Sequence, residues 1–231
     1  MNKIISFSLW GNNPKYTVGA IRNAELAATV YPTWKTRFYV ASSVPSQIIY
    51  VLEDIESVEI VVKETAGDWT GMFWRFEAAY DSKTSVAVFR DTDSRISLRE
   101  KHAVDEWLNS DKIFHVMRDH PYHQFPILGG MWGIKKTDKF NLKNMLESFI
   151  VNKASNSYGT DYNFLGNVLY PLIKDNDCLV HDPFFDKKPF PTARQNYEFV
   201  GQVFDENEVT APEHLEILKQ HENKFPNPMS Q

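Results

Sequence analysis

Two carboxylates, Asp91 and Asp93, follow a short apolar run, Val86-Ala87-Val88-Phe89, closed by Arg90. Hard oxygen ligands at this spacing suit Mg²⁺ or Mn²⁺, which takes one or two carboxylates together with substrate phosphates. The run before them is rich in Val and Phe and suits a strand buried on both faces of a parallel sheet. Ligands of open α/β sheets sit at the carboxyl ends of strands, which is where this pair falls. The chemistry implied is a metal–diphosphate site. A solvated turn after a strand produces the same three letters by composition alone, so the surrounding residues have to decide.

Other residues carry chemistry of a compatible kind. Arg75 lies in Gly67 to Ala79 (GDWTGMFWRFEAA), a loop running into a helix, and its planar fork matches phosphate oxygens. An ion pair with Glu77 or Asp81 is the plainer use for it. Arg118-Asp119-His120-Pro121-Tyr122-His123 is a dense polar loop able to contact sugar or phosphate, or simply to be solvated. The glycines of Gly129-Gly130-Met131-Trp132-Gly133 imply close backbone approach, to a ligand or to another strand. Asp161 opens a helix behind Thr160, where a carboxylate either satisfies the helix dipole or faces a site. His181 ends the last clear strand; beside a metal its imidazole becomes a third ligand, and otherwise it is structural.

The elements that position these groups follow from periodicity. Lys3–Trp10, Arg37–Ala41, Val58–Lys63, the run ending at Arg90, Lys112–Met117 and an apolar stretch within Pro126–Lys135 read as strands. Tyr16–Val30, Pro45–Leu52, Leu98–Asn109, Leu142–Val151, Asn163–Ile173 and Pro212–Gln220 read as helices. Asn196–Phe204 is expected to add an edge strand, and Asn223–Gln231 to fray. The β-α-β-α-β order at the start predicts parallel pairing with right-handed crossovers. Neither a G-x-G-x-x-G loop nor a Walker A sequence occurs, which argues against a Rossmann dinucleotide site.

The 231 residues allow one domain or two small ones, and no linker divides them. With 42% apolar and 24% charged residues the chain can bury an ample core. A net charge of −5 argues against a general nucleic-acid or anionic-membrane binder. The single Cys178 excludes an internal disulfide and a Cys-rich zinc site. No apolar run approaches a membrane span, and MNKIISFSLWGNN is too polar after Trp10 for a secretory signal, so a cytoplasmic setting is expected, with peripheral membrane association open.

In their order along the chain, these pieces resemble the nucleotide-sugar-dependent glycosyltransferases of the GT-A fold. The likeness rests on the strand-helix start, the Arg75 segment, Asp91-Thr92-Asp93, Gly129 to Gly133 and Gly159-Thr160-Asp161-Tyr162-Asn163. The last is similar to a Gly-x-Asp-Gln segment, with Tyr162 in place of Gln. His181 followed by Lys188-Pro189-Phe190 is similar to the His…Lys-Pro-Trp ending of the glycogenin and galactosyltransferase-like branch, with Phe190 in place of Trp.

The resemblance implies one α/β domain with a mostly parallel central sheet flanked by helices. Its nucleotide-binding half would span 1–95, its donor-sugar and acceptor half 96–222 and a frayed tail 223–231. It implies a hexosyl- or pentosyltransferase acting on a nucleoside-diphosphate sugar, UDP by analogy with that branch, and retaining. Asp91, Asp93 and His181 would hold Mn²⁺ or Mg²⁺. Phe7, Leu9, Trp10 and Asn12 would hold base and ribose, with Asp91 also on the ribose, and Arg75 or Lys188 would meet the diphosphate. Asp161, with Arg118 and His120, would position sugar hydroxyls or move protons. A glycan or other hydroxyl compound would be the acceptor. The competing readings are a non-catalytic carbohydrate-binding protein and a haloacid-dehalogenase-like phosphatase, whose first Asp attacks phosphate.

Overall fold

The computed structural model describes residues 1–152, 159–185 and 188–224. Its strands are β1 (Asn2–Leu9), β2 (Lys35–Ala41), β3 (Val58–Lys63), β4 (Thr84–Phe89), β5 (Phe114–Met117), β6 (Trp132–Lys135) and β7 (Cys178–His181). They form one sheet in the order β3-β2-β1-β4-β6-β5-β7, with strands from both halves of the sequence. All neighbours pair parallel except β6, which runs antiparallel to β4 and β5.

Why these residues make a sheet covered on both faces is visible along β1 and β4. Alternate side chains leave a strand on opposite faces. Ile4, Ala87 and Phe89 enter one core. Ile5, Phe7, Leu9, Val86 and Val88 enter the other. The first core is closed by the 3₁₀ segment Trp69–Ala79, by α4 (Leu142–Asn152) and by residues 160–173, through Phe73, Phe76, Leu146, Phe149 and Phe164. The second is closed by α1 (Pro14–Val30), α2 (Ser46–Glu53) and α3 (Leu98–Leu108), through Ala20, Ala24, Leu52 and Trp107. A short π-helical stretch, Leu165–Leu169, joins α5 (Thr160–Phe164) to α6 (Tyr170–Ile173), and α7 (Pro212–Lys224) ends the described chain.

Helix starts follow their local sequence. Asn13 accepts a hydrogen bond from the Lys15 amide at 3.0 Å ahead of Pro14, and Ser97 accepts one from the Glu100 amide at 3.3 Å.

The strand expected within Pro126–Lys135 spans Trp132–Lys135 and runs antiparallel to its neighbours, so the residues leading into it, Gly129 and Gly130, arrive at the sheet end where the parallel strands finish. One expectation is corrected. Asn196–Phe204 is not a strand of the sheet. Asn196, Tyr197 and Gly201 have φ of 48°, 60° and 81°, which no extended strand tolerates, and only isolated bridges such as Ser94 to Val203 form. Asn223 and Lys224 complete α7, whereas residues 225–231 of the expected frayed tail lie outside the described residues, as does Tyr158 before the Gly159 turn.

Candidate active site at the ends of β1 and β4

A cavity of about 460 Å³ opens at the carboxyl ends of β1 and β4. Ser8, Leu9 and Trp10 reach it from β1, Arg75 from the 3₁₀ segment, and Asp91 and Asp93 from the loop after β4. Tyr16, Gly130, Met131, Asp161, Tyr162, His123 and Val203 are among the other residues of the wall. Residues from distant parts of the chain meet there because each leaves the same end of the sheet.

Arg75 is the centre of the polar network. Its amide donates to Ser8 Oγ at 2.9 Å, and its carbonyl accepts from Ser6 Oγ at 2.7 Å. The polar side of β1 thereby fixes the backbone beneath the guanidinium. The head group is buried and pairs with both Asp91 and Asp161, the latter at 3.0 Å, and reaches the Arg90 carbonyl at 3.2 Å. The plainer surface pairing with Glu77 or Asp81 does not form: Lys63 takes Glu77 at 2.6 Å and Arg37 takes Asp81 at 2.7 Å.

The glycine pair serves this network. A Cβ on Gly129 would overlap Asp161 Oδ2 and the Arg75 guanidinium, and one on Gly130 would overlap Asp91 Oδ2. At this pair the close approach is to carboxylates, and at Gly133 it is to the neighbouring strand, where a Cβ would meet the Ala87 carbonyl.

Lys15 Nζ lies 2.8 Å from Asp93 Oδ2. Burial and the nearby charge of Asp91 push the Asp93 carboxyl above its usual range. Asp161 is raised too, by burial first and by Asp91 as well, against the pull of Arg75. His123 is pushed down to about 3 by burial and by His120, so it is neutral at physiological pH. Its Nδ1 accepts from the Asp119 amide at 3.0 Å, which leaves the proton on Nε2.

The Asp91–Asp93 loop is held from two sides. Asn23, fully buried on α1, donates to the carbonyls of Thr92 and Ser94 at 3.1 and 2.7 Å and accepts from the Ile96 amide at 3.0 Å. From the other side the Phe204 amide donates to the Asp93 carbonyl at 2.8 Å. Neither Asn23 nor Lys15 stands out from sequence; their signal is the stripe Lys15, Gly19, Asn23, four residues apart on one face of α1. Gly19 belongs to it because a Cβ there would overlap the Thr92 carbonyl.

Several expected site residues lie elsewhere. His181 is fully buried, with Nδ1 2.8 Å from His115 Nε2 and Nε2 3.3 Å from Glu106. Its strand stands three places from β4, a lateral separation of about 14 Å. Arg118 is paired with buried Asp182 at 2.6 Å and donates to the Pro126 carbonyl. His120 is buried, with Nε2 2.9 Å from the His214 carbonyl. Lys188 bridges Asp182 through its backbone and is not part of the cavity wall. Phe7 stacks on Phe38 at 4.9 Å inside the core, and Asn12 is exposed away from the wall. Leu9, Trp10, Arg75, Asp91, Asp93 and Asp161 are the expected residues that share the cavity.

Among the described residues no three His, Cys, Asp or Glu side chains form a group able to hold a metal ion. The pair Asp91 and Asp93 still fits a divalent cation whose remaining ligands are phosphate and water. The fit rests on two features: Asp91 is seated at the cavity because Gly130 has no Cβ where its Oδ2 lies, and an ammonium already stands at Asp93. At the rim, Tyr162 stacks on half-exposed Phe125 with ring centres 4.9 Å apart.

No family model matches the chain, and no curated protein matches it. Among solved structures, it is similar to a glycosyltransferase involved in the glycosylation of the major capsid of PBCV-1. The TM-score is 0.50 at 18% identity, over 78% of this chain and 82% of that one. It is also similar to 4-diphosphocytidyl-2C-methyl-D-erythritol synthase from Anaerococcus prevotii, with a TM-score of 0.50 at 9% identity over 96% and 99% of the two chains. The likeness is one of fold: a GT-A-like α/β domain whose central sheet is mostly parallel and flanked by helices.

Proposed function

We propose that the chain is a glycosyltransferase that moves a sugar from a nucleoside-diphosphate sugar, by preference a UDP-sugar, to a hydroxyl of a glycan or related acceptor with retention of configuration. The observation that supports this reading best is the convergence of Asp91, Asp93, Arg75, Lys15 and Asp161 around one cavity at the strand ends. Leu9, Trp10 and Tyr16 give that cavity an apolar side for the base. Asp91 and Asp93 would hold Mn²⁺ or Mg²⁺, which supplies Lewis-acid stabilisation to the departing diphosphate. Arg75 fixes Asp91 and Asp161 in place, so that neither carboxylate must reorganise when charge develops. Asp161, with its raised pKa, is the group suited to hold sugar hydroxyls or exchange a proton with them. Tyr162 and Phe125 offer an apolar face on which an acceptor ring can rest.

A nucleotidyltransferase shares the fold but needs a glycine-rich, Arg-bearing turn after β1, and this turn reads Gly11-Asn12-Asn13-Pro14. The test is a thermal-shift series with nucleoside diphosphates, with and without Mn²⁺, on the wild type and Asp93→Asn. A ligand at 100 times its dissociation constant adds about 2.7 kcal/mol to stability. The expected result is a metal-dependent rise in Tm with one nucleoside diphosphate, lost in Asp93→Asn. No rise with any nucleotide overturns the reading, and pyrophosphate release from a nucleoside triphosphate and a sugar phosphate would replace it with nucleotidyl transfer.

A further inference from the structure

The charged groups and imidazoles of Arg118–His123 are engaged within the protein, with one exception among the described residues. Arg118 is taken by Asp182 and the Pro126 carbonyl, and Asp119 by Arg99, Arg194 and the Val200 amide. His120 accepts the Tyr122 amide at Nδ1, 3.1 Å away, and donates from Nε2 to the His214 carbonyl. His123 accepts the Asp119 amide at Nδ1 and donates its own amide to the His120 carbonyl at 2.8 Å. The Nε2–H of His123 is what remains. It has no partner among the described residues, and it is open to solvent, whereas other partnerless nitrogens, such as His115 Nδ1, are sealed in the core.

Its surroundings are largely apolar. Half-buried His123 shares the cavity wall with Leu128, Met131, Gly201 and Val203. Gly201, at φ 81°, has no Cβ where Met131 Sδ lies, and a Cβ there would stand 3.4 Å from His123 Cε1, the carbon next to Nε2. Phe199 meets the imidazole edge-on, with ring centres 5.9 Å apart. Burial keeps the ring neutral, so Nε2 donates and cannot act as a base; the lone pair of the ring is the one that the Asp119 amide occupies. A single neutral donor on such a wall fixes the orientation of a ligand through one oxygen lone pair. A phosphate, being charged, calls for a cation, and His123 is none.

We propose that the Nε2–H of His123 is a specificity contact, donating to one hydroxyl oxygen of a sugar ring bound in the cavity. A ligand that covers this N–H without supplying an acceptor leaves it unsatisfied, which is how a polar group discriminates between close analogues. That the ligand is a sugar rests on the glycosyltransferase reading above, and the ring is that of the nucleotide-sugar or that of the acceptor.

The two ring nitrogens can be tested apart, because an Asn amide reaches the place of Nδ1 and a Gln amide that of Nε2. His123→Asn keeps an acceptor for the Asp119 amide and lacks the outer donor; His123→Gln does the reverse. Circular dichroism and urea titration check folding. UDP, UDP-glucose, UDP-galactose and UDP-N-acetylglucosamine are titrated calorimetrically with Mn²⁺ into the wild type and both variants. Methyl glucoside, methyl galactoside and methyl mannoside are titrated with and without Mn²⁺ and UDP. His123→Asn is expected to bind UDP as the wild type does and to lose about tenfold in affinity for a sugar-bearing ligand. His123→Gln, although less stable, is expected to keep most of that affinity. A merely structural histidine would rank the variants the other way, with Gln the more damaged. Loss with a UDP-sugar assigns the ring to the donor, and loss with a methyl glycoside assigns it to the acceptor. The contact is overturned if His123→Asn binds every sugar ligand as the wild type does, if UDP itself weakens by the same factor, or if Gln restores nothing. If the wild type binds methyl glycosides but no nucleotide, the glycosyltransferase reading fails, and the contact stands or falls on whether His123→Asn weakens the glycosides. If the wild type binds no sugar ligand at all, the contact is overturned.

Discussion

At the scale of single residues, the site depends on atoms that are missing as much as on those present. Gly130 has no Cβ where Asp91 Oδ2 lies. Gly130→Ala is expected to lose about 2 kcal/mol of stability through overpacking and to weaken Mn²⁺ binding, because the displaced group is a carboxylate of the pair. Thermal melts and Mn²⁺ titration check both; unchanged Mn²⁺ affinity would mean that Asp91 is not a ligand. The glycine pair was readable in sequence as a point of close approach, and the approaching partner was not. A run of glycines announces that something comes near but carries no information about what. The same limit explains His181. Its place after a strand fixes the end of the sheet, while the order of strands, which sequence does not state, puts β7 at the far edge.

At the scale of elements, α1 is more than a cover for the sheet. Its buried stripe presents Asn23 to three backbone groups of the loop between β4 and α3. Asn23→Ala removes the acceptor of the Ile96 amide, while the Thr92 and Ser94 carbonyls each lose one donor and keep Arg95, at a cost of about 2 kcal/mol. Hydrogen exchange at Ile96 should accelerate more than exchange in β1; equal acceleration would indicate global destabilisation in place of a loosened loop. Polar residues on a helix look solvated in a sequence, which is why Lys15 and Asn23 escaped notice while the apolar run before Asp91 did not. Asp119 was conspicuous for the opposite reason. It sat in a dense polar loop and turned out to be a fastening: fully buried, it takes Arg99 at 2.7 Å, Arg194 at 2.9 Å and the Val200 amide at 2.9 Å. Although burial pushes its carboxyl up, Arg99 and Arg194 hold it below the ordinary range. Asp119→Asn is expected to destabilise the fold by about 3 kcal/mol, since two arginines lose their buried counter-charge.

For the whole molecule, the buried histidines set the response to acid. Burial pulls His115, His120, His123 and His181 below the ordinary histidine value. The unfolded chain then takes up protons first as pH falls through about 6.5, and stability is lost below that point until the folded pKa is reached, about 3 for His123. Asp93 and Asp161 act in the opposite direction, because a raised carboxyl favours the folded state as pH falls. A difference measurement separates the two: between pH 6 and 5 the wild type should lose stability more steeply than His123→Gln, by roughly 1.4 kcal/mol per pH unit. Parallel slopes in urea titrations at the two pH values would refute a neutral His123. Sheet class, most strand positions and the Asp91–Asp93 turn were legible because buried strands write themselves as apolar runs. The stretch between Phe190 and Phe204 was not, since left-handed turns and long-range contacts, such as Arg194 to Asp119 and Phe204 to Asp93, leave no periodicity in the sequence.

That segment has a consequence for synthesis. Asp93 receives the Phe204 amide, and Asp119 receives Arg194 and Val200, from residues made long after the sheet that they fasten. A chain emerging from the ribosome can pair every strand through β7 while its acidic loop still lacks one of its two clamps. The scaffold therefore precedes the pocket in time, and a nascent chain stalled before Phe204 would be folded in outline and unfinished where it matters.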